Sequence, residues 1–244
     1  MRILITLLFL ILSFSSISYA KTSYGDADSR AYRVPEKYFD NLDELTDYLV
    51  KPYQNNEELK ARVIFAFIVY HIQYDMYEYE SGYEWERSTA PVNSHKDAEN
   101  HYSHFKQTPH DTLKRRSGVC RHLTNLFLHM GKRAGLKVVE IEGTATNLPH
   151  AWNGVKIKNK WHLLDVTWAG GRLSLRGIKD DKSYKRALKI REKKIKSGRI
   201  KNSKKINEEW FLSNPKVFIK THVPYDLKWT LIEKYQKASG GKLP

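Results

Sequence analysis

A single cysteine in 244 residues leaves this chain without an internal disulfide. Cys120 is that residue. Its thiol either pairs with another molecule, reacts, or sits as a small buried hydrophobe. Long apolar runs are missing as well: nothing after the first twenty residues is apolar enough to span a bilayer. There is no internal repeat and no clear second domain. No carboxylate or Cys completes a recognised ligand set around His101 and His104, whose spacing could hold a metal on a helix. With His95 and His110 they are expected as solvated loop histidines, and no metal or cofactor is expected. Acidic residues are scarce in one stretch. Residues 172–205 carry fifteen Lys or Arg against Asp180, Asp181 and Glu192, so most of the formal charge of +15 belongs to that segment.

What is present describes a folded chain: 41% hydrophobic and 28% charged residues exclude a disordered one. The first twenty residues read as a secretory signal peptide. Arg2 supplies the positive start, residues 3–17 are apolar apart from Thr and Ser, and Ser18-Tyr19-Ala20 offers small residues for cleavage after Ala20. A secreted or periplasmic protein is expected. Export sharpens the question of Cys120, because a thiol in an oxidising compartment normally has a disulfide partner.

The chain divides into the signal at 1–20, an N-terminal extension at 21–55, one domain at 56–232 and a tail at 233–244. Insertions at 75–111 and 172–207 interrupt the domain. Asn55 and Asn56 can cap a helix from Glu57 to Tyr74 whose apolar residues Val63, Ile64, Phe65, Phe67, Ile68, Val69 and Ile72 run nearly all round, so it should be deeply buried. Ser117-Gly118-Val119 reads as a turn. Cys120 then opens an amphipathic helix with Leu123, Leu126, Phe127, Met130 and Ala134 at helical spacing, stopped by Gly135. A strand over residues 138–143, a loop over 144–149, and strands over 150–157 and 161–168 follow. The basic segment is expected to be helical with a thin apolar stripe from Tyr184, Leu188 and Ile195.

A thiol attacks as its thiolate, which a helix N-terminus and a neighbouring imidazolium both stabilise. Cys120 has the first from its position. A two-residue turn at Lys158-Asn159 pairs Ile157 with Lys160 and sets His150 opposite Thr167. His150, Asp165 and Thr167 then share a face, with Asp165 the diagonal neighbour of His150. That is a base with its orienting carboxylate.

Three segments carry a resemblance: Arg116-Ser117-Gly118-Val119-Cys120, Pro149-His150-Ala151-Trp152-Asn153 and Leu164-Asp165-Val166-Thr167-Trp168. They resemble the motifs of the transglutaminase-like superfamily. The tail, with Trp210-Phe211-Leu212, Phe218-Ile219, His222-Val223-Pro224 and Trp229, resembles its kyphoscoliosis-peptidase-like branch. The resemblance implies an α+β, papain-like transglutaminase core with the catalytic Cys at a helix N-terminus, packed on an antiparallel sheet bearing His and Asp. It implies Cys120, His150 and Asp165 as a catalytic triad that transfers an acyl group from an amide to water or an amine. The expected partner is a protein or peptide amide. Gln73 and Tyr74 are candidates for a second oxyanion donor. Arg121-His122-Leu123 departs from the small or aromatic residues often found just after the Cys and could alter the substrate groove. A non-catalytic module reading a peptide or the cell wall is the competing function. Residues 172–205 are expected to meet an anionic cell-surface polymer or membrane surface. Without interleaved aromatics, no nucleic acid is expected there.

Overall fold

The computed structural model describes residues 23–75, 107–170, 172–173, 181–196 and 205–240. The expected signal segment, most of the 75–111 insertion with His95, His101 and His104, and the ends of the basic segment lie outside the described residues.

Helices α1 (Gly25–Tyr32), α2 (Leu42–Val50) and α3 (Glu57–His71) lead into a short strand β1 (Gln73–Asp75). After α4 (Pro109–Arg115) and strand β2 (Ser117–Gly118) comes α5 (Cys120–Arg133). Strands β3 (Lys137–Ala145), β4 (Leu148–Ile157) and β5 (Lys160–Leu164) form an antiparallel meander, followed by α6 (Val166–Ala169) and β6 (Arg172–Leu173). The basic helix α7 (Asp181–Lys196), α8 (Pro215–Phe218), strand β7 (His222–Pro224) and α9 (Glu233–Ser239) complete the chain. The fold is α+β. Among the described residues, four strands make one sheet in the order β5-β4-β3-β7, and three short strands make another in the order β2-β1-β6, with parallel pairing.

Helix α3 behaves as its composition requires. The Asn56 side chain accepts from the Leu59 N–H at 3.0 Å, and every residue from Ala61 to His71 is buried. Ile64, Phe65, Phe67 and Ile68 are wholly enclosed, roughly 1.5–3 kcal/mol of burial apiece. Helix α5 packs against α3 on one side and β3 and β4 on the other. Leu126, Phe127 and Met130 join the common core, and Gly135 (φ 79°) takes the left-handed turn that stops the helix. The Asn153 side chain donates to the Thr124 and Val139 carbonyls, both at 3.2 Å, tying β4 to α5 and β3.

Several expectations change. Residues 144–149 are not a loop. Ala145 pairs with Leu148 around Thr146-Asn147, both with positive φ, so the meander has a second two-residue turn. Thr is β-branched and rarely takes that conformation, which hid the turn from the sequence pattern. The turn at Lys158-Asn159 stands, with Ile157 opposite Lys160. Strand β5, however, ends at Leu164, opposite Asn153. His150 is therefore not paired with Thr167, and Asp165 is not a strand residue. The Asp165 side chain prefers to cap α6, accepting from two of its free N–H groups. Ser117-Gly118 forms strand β2 rather than a turn.

Residues 21–55 are more than an extension. Ala27, Ala31, Leu42, Leu45 and Leu49 are core residues. Wholly buried Arg62 of α3 bonds Asp28 of α1 (Nε to Oδ1, 2.7 Å) and Glu208 (Nη1 to Oε2, 2.6 Å). The 75–111 insertion ends early, since Thr108 caps α4. The basic insertion is bracketed by the core. Arg172–Leu173 pairs with β1, and on return the Asn207 N–H donates to the Ala169 carbonyl at 3.2 Å beside buried Ile206. The tail carries α9. Side chains of the proposed stripe at Tyr184, Leu188 and Ile195 lie outside the described residues.

Candidate active site

Cys120 is the first residue of α5, so its backbone N–H belongs to the group that no helical carbonyl satisfies. The turn before it is held by the Val119 N–H, which donates to His122 Nδ1 at 3.2 Å. A Cβ on Gly118 would lie 2.6 Å from the His122 Cβ, so glycine permits this close approach. The residues that depart from the motif thus have local uses. His122 braces the helix entry, and Arg121 turns to β3, where it pairs with Glu142 at 2.7 Å and Glu140 at 3.7 Å.

Strand β4 presents His150 to this helix end, and α6 presents Asp165. His150 Nε2 lies 2.7 Å from Asp165 Oδ2, and both residues are buried. The other carboxylate oxygen, Oδ1, accepts from the Thr167 N–H at 2.7 Å and the Trp168 N–H at 3.0 Å. With Nε2 committed to Asp165, Nδ1 is the ring nitrogen available to the thiol.

A residue that the sequence reading left in the tail joins them. His222 of β7, wholly buried, places Nε2 3.0 Å from the same Oδ2. Only its place in the His-Val-Pro segment hinted at importance. His150, Asp165 and His222 bring ligand atoms within 4.8 Å of one another, a spacing that can hold a metal. The 2.7 and 3.0 Å separations are direct hydrogen-bond lengths, so the carboxylate oxygen is already engaged by both rings.

The electrostatics divide the two imidazoles. Burial would lower the pKa of His150, but the Asp165 charge and hydrogen bond, then the hydrogen bond and charge of Cys120, outweigh it and raise it well above the ordinary value. Burial would raise Asp165. The charge and hydrogen bond of His150, followed by those of His222, hold it well below the usual carboxylate range. For His222 burial prevails over the Asp165 contact and the pKa falls. One carboxylate thus holds a charged His150 and a neutral His222 at neutral pH.

A cavity of about 420 Å³ adjoins His150, walled by Tyr74, Leu148, Pro149, Trp168 and Trp210. Tyr74 is the strand partner of Gly118 and therefore sits close to the Cys120 segment, whereas Gln73 is not among the lining residues. Cys120 itself is 3% exposed and does not line the cavity.

This chain belongs to the transglutaminase-like domain family, whose model matches residues 40–198. It is 26% identical over 221 residues to mouse kyphoscoliosis peptidase and 25% identical over 236 residues to the human protein, covering 86% and 92% of this chain. The matches span only 27% and 29% of those longer relatives. Among solved structures it is similar to a TGase (TM-score 0.35, 18% identity, covering 70% of this chain and 40% of that one). It is also similar to a putative cysteine protease from Cytophaga hutchinsonii (TM-score 0.34, 19% identity, 59% and 42% covered).

Proposed function

We propose that this chain is an exported cysteine enzyme that cleaves or exchanges amide bonds through a thioester on Cys120. The observation that carries the reading is the buried His150–Asp165 contact of 2.7 Å, with Cys120 acting on His150 from the start of α5. The Cys120 sulfur, its proton held on His150 Nδ1, attacks the amide carbonyl and forms the C–S bond. The oxyanion gathers at the Cys120 N–H. As the C–N bond breaks, His150 gives its proton to the leaving nitrogen. Neutral His150 then takes a proton from water or an amine, whose attack on the thioester releases the acid or new amide and returns the thiolate. Asp165 keeps His150 in the orientation and tautomer both half-reactions need.

The test is a panel of protein and peptide amides, followed for released amine or ammonia with and without an added primary amine. Turnover, redirected into a new amide when the amine is present, supports transfer; turnover unaffected by the amine supports hydrolysis. The position of Cys120 off the cavity wall favours the second reading, a binding module on the same fold. Binding of panel members without turnover by the wild-type protein would establish it.

The basic segment serves as an electrostatic arm in this account. Lys182, Arg186, Lys189, Lys193 and Lys194 are exposed on α7. Its partner is an anionic polymer or membrane surface. Binding to anionic vesicles or polymer should fall steeply with added salt, because screening shortens the reach of each cation. Salt-insensitive binding, or none, would remove this role.

A further inference from the structure

The Asp165 carboxylate has two hydrogen-bonding oxygens and four partners. Oδ1 is taken by the N–H groups of Thr167 and Trp168, and Oδ2 by the rings of His150 and His222. A carboxylate with His150 alone on Oδ2 would keep a lone pair free, buried and without solvent. His222 fills that place.

The surroundings fix how His222 does so. Its Nε2 must carry the proton, since a carboxylate can only accept. Its Nδ1 then presents a lone pair, and the Thr221 Oγ1 hydroxyl lies 2.8 Å away to donate to it. Aromatic rings enclose the imidazole: Phe218 at 4.2 Å, Trp168 at 4.6 Å, and Trp152 and Trp210 each at 5.2 Å between centroids. Such a wall disfavours a second imidazolium 5.4 Å from His150. The strand bearing His222 reaches this depth because β7 pairs with β3 at Gly143, opposite Pro224. A Cβ on Gly143 would land on the Val223 carbonyl oxygen, so no other residue admits β7 so closely.

We propose that His222 is a positioning residue, which by donating to Asp165 Oδ2 keeps that carboxylate ionised and aimed at His150. The proposal rests on the reading of Cys120 and His150 as the reacting pair. A hydrogen bond to the charged form of an acid favours that form. Without it, Asp165 takes up a proton at higher pH, the His150 imidazolium loses its partner, and the reactive thiolate disappears with it. Among the described residues the titratable groups facing His150 are Cys120 of α5, Asp165 at the head of α6, His222 of β7 and Tyr74 of β1 on the shared cavity wall. The acid limit is reached when the thiolate or the Asp165 carboxylate takes up a proton; of the other groups named, His150 and His222 hydrogen-bond that carboxylate, and Tyr74 stays neutral there.

The test compares the full chain with His222→Phe, which keeps a ring and loses the donor, and His222→Gln, which keeps an amide donor. Alkylation of Cys120 by iodoacetamide is measured against pH, beside thermal unfolding. In His222→Phe the acid limit of alkylation should move upward by about one pH unit, an approximately tenfold loss of rate at a pH on that limb. His222→Gln should retain most of the wild-type profile. Equal profiles in all three proteins, or losses in both variants that follow only their melting temperatures, would overturn the proposal and leave His222 a packing residue. If His222→Phe does not fold, imidazole ¹⁵N shifts of the wild-type chain decide. A neutral His222 protonated at Nε2 is expected, and a neutral His222 protonated at Nδ1 overturns it. A wild-type thiol that shows no reactivity below the free-thiol range would instead overturn the reading of Cys120 and His150, a result distinct from unchanged variants beside a reactive wild type.

Discussion

Cys120→Ala should abolish amide turnover while the protein stays folded. The sulfur is the only thiol in the chain, so no other residue can take over a thioester. Its removal takes away the atom to which the acyl group is attached, and the loss should reach the background of the assay. The fold should survive because Ala is a good residue for the start of α5 and the side chain is small, a change costing on the order of 1 kcal/mol. Circular dichroism and thermal unfolding next to the turnover assay separate the two effects. Full activity in Cys120→Ala would contradict the mechanism.

Asp165→Asn should lower the rate by roughly ten-thousandfold, the scale seen when an orienting carboxylate becomes an amide, with a much smaller effect on stability. The Asn oxygen can still accept from the Thr167 and Trp168 N–H groups, so the cap of α6 remains. Its NH₂ group then faces the Nε2 atoms of His150 and His222, and each ring must turn a lone pair toward it. His222 can do so at little cost, because a proton on its Nδ1 donates to Thr221 Oγ1, whose own proton can pass to the Phe218 carbonyl 3.3 Å away. His150 cannot make that change harmlessly: with the proton on Nδ1 it no longer accepts one from the Cys120 thiol. Turnover and melting temperature measured on one preparation check this. A rate loss no larger than the loss of stability explains would show that Asp165 only caps a helix.

Much of this was legible in the residues. The run from Leu123 to Ala134 and the stop at Gly135 placed Cys120 at a helix start, and the near-continuous apolar run of α3 marked a buried strut. The turn at Lys158-Asn159 correctly paired Ile157 with Lys160. Extending that ladder to Thr167 failed, because alternation cannot show where an Asp leaves a strand to cap a helix. Asp165 reaches His150 all the same, from a helix end rather than across a ladder. Thr146-Asn147 concealed a hairpin, since β-branched residues seldom take positive φ. The contributions of Arg62 and His222 could not be read locally. Arg62 meets Glu208 across 146 residues, and His222 meets Asp165 across 57, contacts set by tertiary packing and not by any nearby period.

The central claim is that Cys120 is held reactive by the imidazolium of His150, and the rate of its alkylation as a function of pH tests this most directly. A free thiol reacts mainly as it ionises, at about pH 8.5. Because Asp165 and Cys120 raise the pKa of His150, the ring keeps its proton through neutral pH and up toward the alkaline side. An imidazolium beside a thiol favours its thiolate, so the wild-type chain should react with iodoacetamide at neutral pH and His150→Ala should abolish that neutral-pH reactivity. A single rise near pH 8.5 that His150→Ala leaves unchanged, or a folded protein that fails to react at any pH, would contradict the account.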